Sequence, residues 1–562
     1  MKRFRWQIAI LLITGLVVGV LLLLEQPQGS VNVQPTPSQG GTYTEALIGS
    51  FQRLNPLLDD SNQPDKDVDR LLFSGLVKFD SSGVPQPDLA ESWGISKDGT
   101  IYNFALRKTA SWHDGVPVSS DDVIFTVELM RSEESPLPAD LKAFWNEIEV
   151  SALDTQTVQF RLPEAFAPFL DYVSFGLLPR HLLDGLGVAE MVDAPFNVEP
   201  VGTGPFIFKN LVVENGQIAG LVLVRNENYY GAPAFLDELV FRYYPDGSSA
   251  LQAFRDGAVQ GISRVSNEIL QSALAEPGLS VYTGRLPQMT LVLLNLDDPQ
   301  LEFFQDEAVR KALYLGLNRQ YMIDRILGGQ AILANGPILP DTWGYYEGTQ
   351  PVGYDLEAAR NLLREEEYVI PAEGSTVREK EGIALSFTML YPDDATHFAI
   401  AEAIQKNWAD LNVEVILEAV PYEELVREHL EARDYQAALV DLNFSGSPDP
   451  DPYPFWDQAQ ASGGQNYSQW NSRVASEYLE TARVTTDLAE RARLYRNFQV
   501  VFNDELPALM LFNPVYTYAV SNQILGVRMG PLFDSSDRFL TITQWYLTAA
   551  PAPQPELVQP TQ

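Results

Sequence analysis

The sequence predicts an α/β fold with more than one lobe. Its 562 residues exceed what one hydrophobic core usually holds, so two or three lobes are expected. In the second half of the chain, helical and strand patterns alternate, which is typical of a lobe with a largely parallel sheet. No internal repeat with a period of about 20–50 residues is visible, and this disfavours solenoids and propellers.

Composition and charge narrow the classes of function. The hydrophobic fraction of 45% is that of an ordinary globular protein. The formal net charge of −37 indicates a well-solvated surface and argues against a nucleic-acid partner, because nucleic-acid binding needs a basic face. Cysteine is absent, which excludes disulfides, thiolate metal sites and thiol nucleophiles.

The N-terminus predicts a membrane signal anchor. Residues 1–7 carry Lys2, Arg3 and Arg5, and this basic stub should stay in the cytoplasm. The uncharged run 8–24 is near the lower length limit of a transmembrane helix. No small-x-small cleavage motif follows it, so we expect an uncleaved anchor that holds the protein on the extracytoplasmic face of the cytoplasmic membrane. The alternative is a cleaved signal peptide and a periplasmic or secreted protein.

Flexible segments are predicted on both sides of the folded part. Residues 25–41 are rich in Pro, Gln, Ser and Gly, which predicts a flexible linker. Residues 549–562 have the same kind of composition and are predicted to be a disordered tail.

Local patterns place several helices and strands. Ser119 is the expected N-cap of a helix, with Asp122 in its first turn. Residues 306–329 predict one long amphipathic helix that stops at two glycines. The alternating part of the chain then contains predicted helices at 396–412 and 422–432, each followed by a strand, and the second strand ends at Phe444.

The sequence contains no pattern that supports catalysis. It lacks a G-x-S-x-G elbow, a P-loop and a G-x-G-x-x-G turn between a strand and a helix. No histidine is spaced with another histidine or a carboxylate as metal ligands are. The histidines are His113, His181, His397 and His429. We therefore expect neither an enzyme nor a bound cofactor.

The stretch "SPDPDPYPFW", residues 447–456, superficially resembles a calcium loop. Asp449 and Asp451 have the D-x-D spacing of such loops. However, Tyr453 stands where a third oxygen ligand would be needed, and Pro452 stiffens the backbone. We expect no metal here, and we expect Trp456, at the end of the stretch, to lie in the core.

Six stretches together resemble one family, the extracellular solute-binding proteins of the oligopeptide/dipeptide/nickel type that serve ABC importers. They occur in the family's order and include a "LAESW" segment expected to be helical. The stretches are "FQRLNPL" (51–57), the block 72–128, "VGTGPFIF" (201–208), "NENYYG" (226–231), 306–331 and "NGPILPDTWGY" (335–345).

The resemblance implies an α/β, periplasmic-binding-protein-like type II fold with three lobes and a hinged ligand cleft, preceded by the membrane anchor. Lobe I would combine 42–70, 196–288 and 511–548. Lobe II would span 71–195, and lobe III would span 289–510.

The resemblance also implies a function. The chain would be a monomeric receptor that captures a small ligand, in the first place a peptide, by lobe closure and delivers it to ABC permease subunits. Nickel-chelate, opine and oligosaccharide binding on the same fold remain open. A solute sensor that is not coupled to transport also remains open.

Candidate ligand contacts follow from the resemblance and from the position of loops at strand ends. They are Phe51, Trp343, Tyr345, Phe444, Asp449 and Asp451. In peptide-binding members, an Asp three residues after a Trp pairs with the peptide α-amine. Here Phe444 stands at the Trp position and Ser447 at the Asp position, so Asp449 or Asp451 would have to substitute. The alternative for both is capping of local backbone.

Overall fold

The computed structural model describes residues 37–349, 351–372 and 374–547. The predicted anchor at 8–24, most of the linker and the predicted tail at 549–562 lie outside the described residues. Within the described ranges, the structure contains no helix that is both long enough and apolar enough to cross a membrane.

Twenty-two strands are assigned in the described residues. They are β1 (Thr42–Ile48), β2 (Val77–Phe79), β3 (Pro85–Pro87), β4 (Ala90–Ile95), β5 (Ile101–Leu106), β6 (Glu149–Asp154), β7 (Thr157–Arg161), β8 (Phe206–Glu214), β9 (Gln217–Arg225), β10 (Glu238–Tyr244), β11 (Gly261–Ile262), β12 (Leu279–Arg285), β13 (Gln288–Leu294), β14 (Ala331–Leu333), β15 (Glu379–Lys380), β16 (Ile383–Ala384), β17 (Ser386–Pro392), β18 (Glu414–Val420), β19 (Ala437–Asn443), β20 (Ala508–Ser521), β21 (Ile524–Leu525) and β22 (Tyr546–Leu547).

Fifteen α-helical segments accompany them. They are α1 (Gln63–Leu72), α2 (Ser120–Arg131), α3 (Ala139–Glu147), α4 (Arg180–Leu183), α5 (Val188–Met191), α6 (Gly247–Arg255), α7 (Asn267–Leu274), α8 (Glu307–Leu315), α9 (Arg319–Tyr321), α10 (Leu356–Glu365), α11 (Ala395–Ala409), α12 (Tyr422–Glu424), α13 (Tyr453–Trp456), α14 (Arg473–Val484) and α15 (Leu488–Glu505).

A single mixed sheet of twelve strands runs through the molecule. Along its main path the order is β18, β17, β19, β13, β20, β11, β1, β10, β9 and β8, while β12 and β14 pair with β20 beside that path. The predicted parallel arrangement in the second half is confirmed for β17, which pairs in parallel with β18 and β19. A separate antiparallel sheet has the order β4, β5, β7 and β6.

Buried apolar side chains form two large cores. The first core joins the four-stranded sheet and α1 to β1 and to the C-terminal residues around Trp545. The second core joins β13, β17 and β19 to α11 and α15. Strand β20 belongs to both, because Phe512 lies in the second core and Tyr516 in the first.

The chain passes between the two large cores at two neighbouring places. One is the connection from β12 to β13, and the other is the middle of β20. The backbone N–H of Leu286 in the first crossing donates to the carbonyl of Pro514 in the second, at 2.9 Å. Close by, the pairing of β13 with β20 shifts register between Thr290 and Leu291, as at a β-bulge. The two crossings therefore lie side by side.

Two predicted elements differ in the structure. The predicted long helix at 306–329 is interrupted after α8. A side chain at Gly316 would meet Leu411, and Asn318 starts α9 anew by accepting a hydrogen bond from the N–H of Tyr321. The "LAESW" segment is not a helix but enters β4, where Trp93 pairs opposite Phe104 of β5. Cross-strand aromatic packing there outweighs any helical tendency.

Two other predictions are confirmed. Ser119 is the N-cap of α2, and its N–H donates to the Asp122 carboxylate at 2.9 Å in a capping box. Trp456 lies in the second core with 2% of its surface exposed.

Candidate functional site

A cavity of about 530 Å³ lies where the loop after β19 meets the first core. Its walls come mainly from α1, from residues 73–88 and from the segment 531–544, while the loop adds Gly446 and Pro448. The N–H of Gly446 donates to the carbonyl of Phe533 at 2.9 Å, which holds the loop against the C-terminal segment. The volume falls in the range of roughly 300–1,000 Å³ that is usual for small-molecule sites.

A second cavity of about 470 Å³ adjoins the first. Trp343 and Tyr345 line it, and Ser81 and Pro531 line both cavities. The N–H of Trp343 donates to the carbonyl of Ser82 at 2.9 Å, so this loop of the second half is fastened to the first half of the chain. Two of the candidate contacts thus lie beside the first cavity.

The first cavity has more carboxylates than cations. The carboxylates in its wall are Asp59, Asp69, Asp80, Asp88, Asp534 and Asp537, and the cations are Lys66, Arg70 and Lys78. Each cation is already in an ion pair: Lys66 with Asp534 at 3.3 Å, Arg70 with Asp537 at 3.0 Å, and Lys78 with Asp88 at 3.9 Å. The cavity therefore favours a ligand that carries positive charge.

Asp59 and Asp69 are the buried carboxylates of the cavity wall that take no part in these ion pairs. Asp59 is 8% exposed and Asp69 is 3% exposed. Burial raises the pKa of Asp59 to about 7, although the neighbouring Lys66 lowers it. Burial also raises the pKa of Asp69 well above its usual range, the charges of Asp59 and Asp65 raise it further, and the Asn55 backbone does not compensate.

Asp69 is the less satisfied member of this pair. Among the described residues, neither of its carboxylate oxygens accepts a hydrogen bond of ordinary geometry. The nearby Asp65 is different, because it accepts the backbone N–H of Arg53 at 2.9 Å and the amide of Asn62 at 2.6 Å. Asp65 organises the turn before α1, whereas Asp59 and Asp69 form a carboxyl pair without a dedicated cation.

The aspartates of the proline-rich loop have internal partners. The Asp449 carboxylate pairs in bidentate fashion with the guanidinium of Arg491, including a contact of 2.8 Å to Nη2. The two side chains are 9% and 4% exposed, so this ion pair is buried. The Asp451 carboxylate accepts a hydrogen bond from Arg483 Nε at 2.8 Å. Either aspartate would have to leave an arginine to bind a ligand amine.

The same loop contacts the first core through Asp171. The N–H of Asp449 donates to Asp171 Oδ2 at 2.8 Å. Burial raises the pKa of Asp171 well above its usual range, and the negative charge of Asp449 raises it further. The Arg491 guanidinium also lies 5.0 Å from the ring centre of Trp343. Arg491 thus connects the loop after β19 to the loop that carries Trp343.

The remaining candidates occupy different surroundings. Phe444 packs edge-on against Phe455, with ring centres 5.3 Å apart. Phe51 packs against Tyr243 at 6.4 Å and lines neither of the two cavities. Ser447, at the position of the family's amine-binding aspartate, is exposed. As ligand contacts, all six candidates stay predictions.

Sequence reasoning missed Asp59 and Asp69. Both lie in an acidic stretch, residues 59–69, that is indistinguishable in sequence from a solvated surface segment. The sequence carried no signal for their burial. In the structure, α1 buries Asp65, Asp67 and Asp69, although charged residues are seldom fully buried without partners. In the part of the chain that the structure describes, no group of three or more His, Asp or Glu side chains is arranged to hold a metal ion.

Comparisons with known proteins agree on one family. The sequence model for the bacterial extracellular solute-binding proteins, family 5 (middle region), matches residues 84–466. The dipeptide-binding protein of Escherichia coli (strain K12) is 27% identical over 534 residues, which cover 88% of this chain and 93% of that protein.

Solved structures extend the likeness to three dimensions. The periplasmic binding protein DppA from Helicobacter pylori, in complex with the peptide STSA, is 25% identical with a TM-score of 0.64, over 91% of this chain and 99% of that one. The periplasmic murein tripeptide binding protein MppA, in its unliganded open form, is 20% identical with a TM-score of 0.76, over 91% and 98% of the two chains.

Proposed function

Because the chain belongs to the bacterial extracellular solute-binding proteins of family 5, we propose that it is the receptor of an ABC importer and that its ligand is a peptide. Its α/β fold is that of a type II periplasmic binding protein. The observation that carries the proposal is the family match over residues 84–466. The cavity between the loop after β19 and the first core supports it. The protein works by differential binding, not by catalysis.

The proposed mechanism is closure of lobe III onto lobes I and II, with the predicted boundaries. The first core includes residues of both lobes I and II, which supports their moving as one unit. The second core lies within the proposed lobe III except for Leu511 and Phe512, which the predicted boundaries assign to lobe I. The two crossings, at Leu286 and Pro514, are the proposed hinge, since closure needs only a few residues to change backbone angles.

Two comparisons support a peptide ligand and an open starting state. A relative that covers most of the chain is named for dipeptide binding, and a similar structure holds the peptide STSA. The TM-score is higher for the unliganded open MppA than for the peptide complex of DppA, 0.76 against 0.64. We propose that ligand binding shifts the receptor from an open arrangement of its lobes to a closed one that the permease recognises.

The proposed peptide contacts lie around the two adjoining cavities. Trp343 and Tyr345 are proposed to line the peptide path, since both border the second cavity. Phe444 and Phe51 are proposed as apolar contacts that close over the ligand. Asp449 and Asp451 are proposed to act through the position of the loop, which their ion pairs with arginines fix.

Residues 8–24 are proposed to anchor the receptor beside its permease, where tethering raises its effective concentration. They lie outside the described residues, so the proposal rests on their uncharged sequence and the basic residues before them. N-terminal sequencing of the mature protein from membranes should begin before residue 8. A mature chain that begins after Gln28 would instead establish cleavage and a released receptor.

Thermal-shift measurements on the purified protein test the ligand class. Separate pools of short peptides, nickel–histidine, opines and oligosaccharides are added at equal concentration. We expect only the peptide pools to raise the melting temperature, because a ligand at about 100 times its Kd stabilises the folded state by about 2.7 kcal/mol. Stabilisation by a sugar, an opine or nickel–histidine without any by peptides would sink the peptide assignment. Peptide uptake that continues after deletion of the gene would favour a sensor.

A further inference from the structure

The first cavity contains a buried pair of carboxyl groups that no cation among the described residues holds in an ion pair. Lys66, Arg70 and Lys78 are engaged by Asp534, Asp537 and Asp88. The Asp80 carboxylate accepts the backbone N–H groups of Ser82 at 2.9 Å and Val84 at 3.0 Å, so it is satisfied within its turn. What remains in the wall is the pair formed by Asp59 and Asp69.

We propose that the Asp59–Asp69 carboxyl pair binds the ammonium group of the ligand. The inference rests on the proposed function, since it names the group of a peptide that this receptor recognises. The chemistry is charge-assisted hydrogen bonding from an –NH₃⁺ group, which has three donors, to carboxylate oxygens. Both residues line the cavity, and both carboxylate oxygens of Asp69 are buried without a hydrogen-bond partner of ordinary geometry among the described residues. The two carboxyl groups are close enough to influence each other's pKa, so they act as one pair.

The loop after β19 does not supply this interaction. Ser447 has no charge, and Asp449 and Asp451 are held by Arg491 and Arg483. Breaking the Asp449–Arg491 pair would leave a buried guanidinium without its counterion, which is far more costly than using a carboxylate that has none. The Asp59–Asp69 pair therefore replaces, from the first half of the chain, the carboxylate that the loop lacks.

Binding at this pair should be coupled to proton release. The charged groups that face Asp59 are Lys66, Asp60 and Asp534, and Asp65 faces Asp69. Burial and mutual repulsion favour a proton on the pair in the empty protein. Lys66 and a hydrogen bond with Asp69 lower the pKa of Asp59, and the Asn55 backbone lowers that of Asp69, but neither pKa returns to its usual range. An arriving ammonium favours the charged form and expels that proton. Affinity should therefore fall as the pH is lowered through about 7, the pKa of Asp59.

The decisive experiment compares free and N-acetylated pools of di-, tri- and tetrapeptides on the purified full-length protein. Binding is measured by thermal shift and then by calorimetry with the tightest single peptide, for wild type, Asp59→Asn, Asp69→Asn and Asp60→Asn. Asp60 is the matched control, since it is the neighbouring carboxylate in sequence and its side chain is 88% exposed. An N-acetylated pool that contains lysine distinguishes a terminal from a side-chain ammonium.

We expect acetylation to weaken binding to the wild type at least about 10-fold, the usual size of a charge-assisted contact. Asp59→Asn and Asp69→Asn should lose affinity for the free peptide by a similar factor and lose the preference over the acetylated form. Asp60→Asn should keep both. Binding of acetylated lysine peptides that still depends on Asp59 supports the pair and assigns the ammonium to the side chain.

Calorimetry in two buffers of different ionisation enthalpy adds a second reading that mere destabilisation would not alter. Below the pKa of Asp59, the wild type should release protons when it binds, and Asp59→Asn should release fewer. If free peptides bind but the two variants keep full affinity and preference, the inference fails and the proposed function stands. If neither pool stabilises the wild type, both fail.

Discussion

Two acidic regions beside the cleft look alike in burial and differ in their partners. Asp449 and Asp451, in the loop after β19, are matched by Arg491 and Arg483 from the following helices. Asp59 and Asp69, next to and within α1, have no such arginine. The carboxylates of the first region are neutralised by arginines of the chain, whereas the carboxyl pair of the second region has no arginine partner among the described residues. Buried carboxylates thus serve structure in one place and ligand recognition in the other.

The presence of aspartates near a cleft therefore does not identify the ligand contact. A carboxylate in a buried bidentate ion pair with an arginine is not free to bind a ligand, because removing either partner leaves the other charge buried and unpaired. A buried carboxylate pair that lacks a cation is poised to accept one. Which situation applies depends on the residues that the fold brings alongside.

The largest change in stability is expected for the Asp449–Arg491 ion pair in the loop after β19. Arg491→Met should lower the free energy of unfolding by about 3–5 kcal/mol, because Asp449 would stay buried without its counterion and close to Asp171. Denaturant unfolding followed by circular dichroism measures this change. Arg483→Ala is the comparison variant: its side chain is 30% exposed, and we expect a smaller loss of about 1–2 kcal/mol from the ion pair with Asp451 and the contact with the ring of Tyr453.

A double variant sharpens this prediction. Arg491→Met combined with Asp449→Leu removes both charges, and it should recover much of the stability that Arg491→Met loses. If Arg491→Met and Arg483→Ala have the same free energy of unfolding, the Asp449–Arg491 ion pair does not contribute the expected stability. The contrast between the two acidic regions would then fail.

A smaller change in stability, which depends on pH, is expected for the Asp59–Asp69 pair. The folded-state pKa of Asp59 is raised to about 7, so the native protein binds more protons than the unfolded chain between about pH 4 and pH 7. Its stability should therefore decrease as the pH rises through that window. Asp59→Asn removes this term and should be more stable than wild type above about pH 7, by about 2–4 kcal/mol, with no difference below about pH 4.

Unfolding curves at several pH values measure the difference between variant and wild type. Asp60→Asn serves as the control and should follow the wild type to within about 0.5 kcal/mol at every pH, because an exposed carboxylate gains little from its ion pair. A constant offset of Asp59→Asn across the whole pH range would contradict the raised pKa, and with it the contrast between the two regions.

Elements with a strong local signal were predicted well. The Ser119 cap, the strands β18 and β19 and the burial of Trp456 follow from patterns within a few residues, and the structure confirms them. The break after α8 was missed although two local signals mark it, since Gly316 ends α8 and the side chain of Asn318 caps α9. The strand at "LAESW" was missed because its partner, β5, decides its conformation.

For the candidate site, too, the sequence predicted the local features but not the contacts between distant residues. The sequence placed the proline-rich loop at the end of β19, and Gly446 and Pro448 of that loop border the first cavity. It gave no sign that Arg491, 42 residues away, takes the carboxylate of Asp449. Nor did it indicate that α1 turns Asp69 inward beside Asp59, since an acidic stretch reads as solvated surface until its neighbours are known.

The α/β class and the family resemblance could be read from the sequence alone, because they depend on residue types and on short-range periodicity. The fold was needed to show which carboxylates are neutralised and which are not. That outcome depends on distances between residues far apart in the chain, and on burial that strengthens or removes each charge's interaction with water. Asp449 and Asp451, which the sequence singled out, are paired with arginines. Asp59 and Asp69, which lie in α1 and the turn before it, are not paired with one in the described part of the chain.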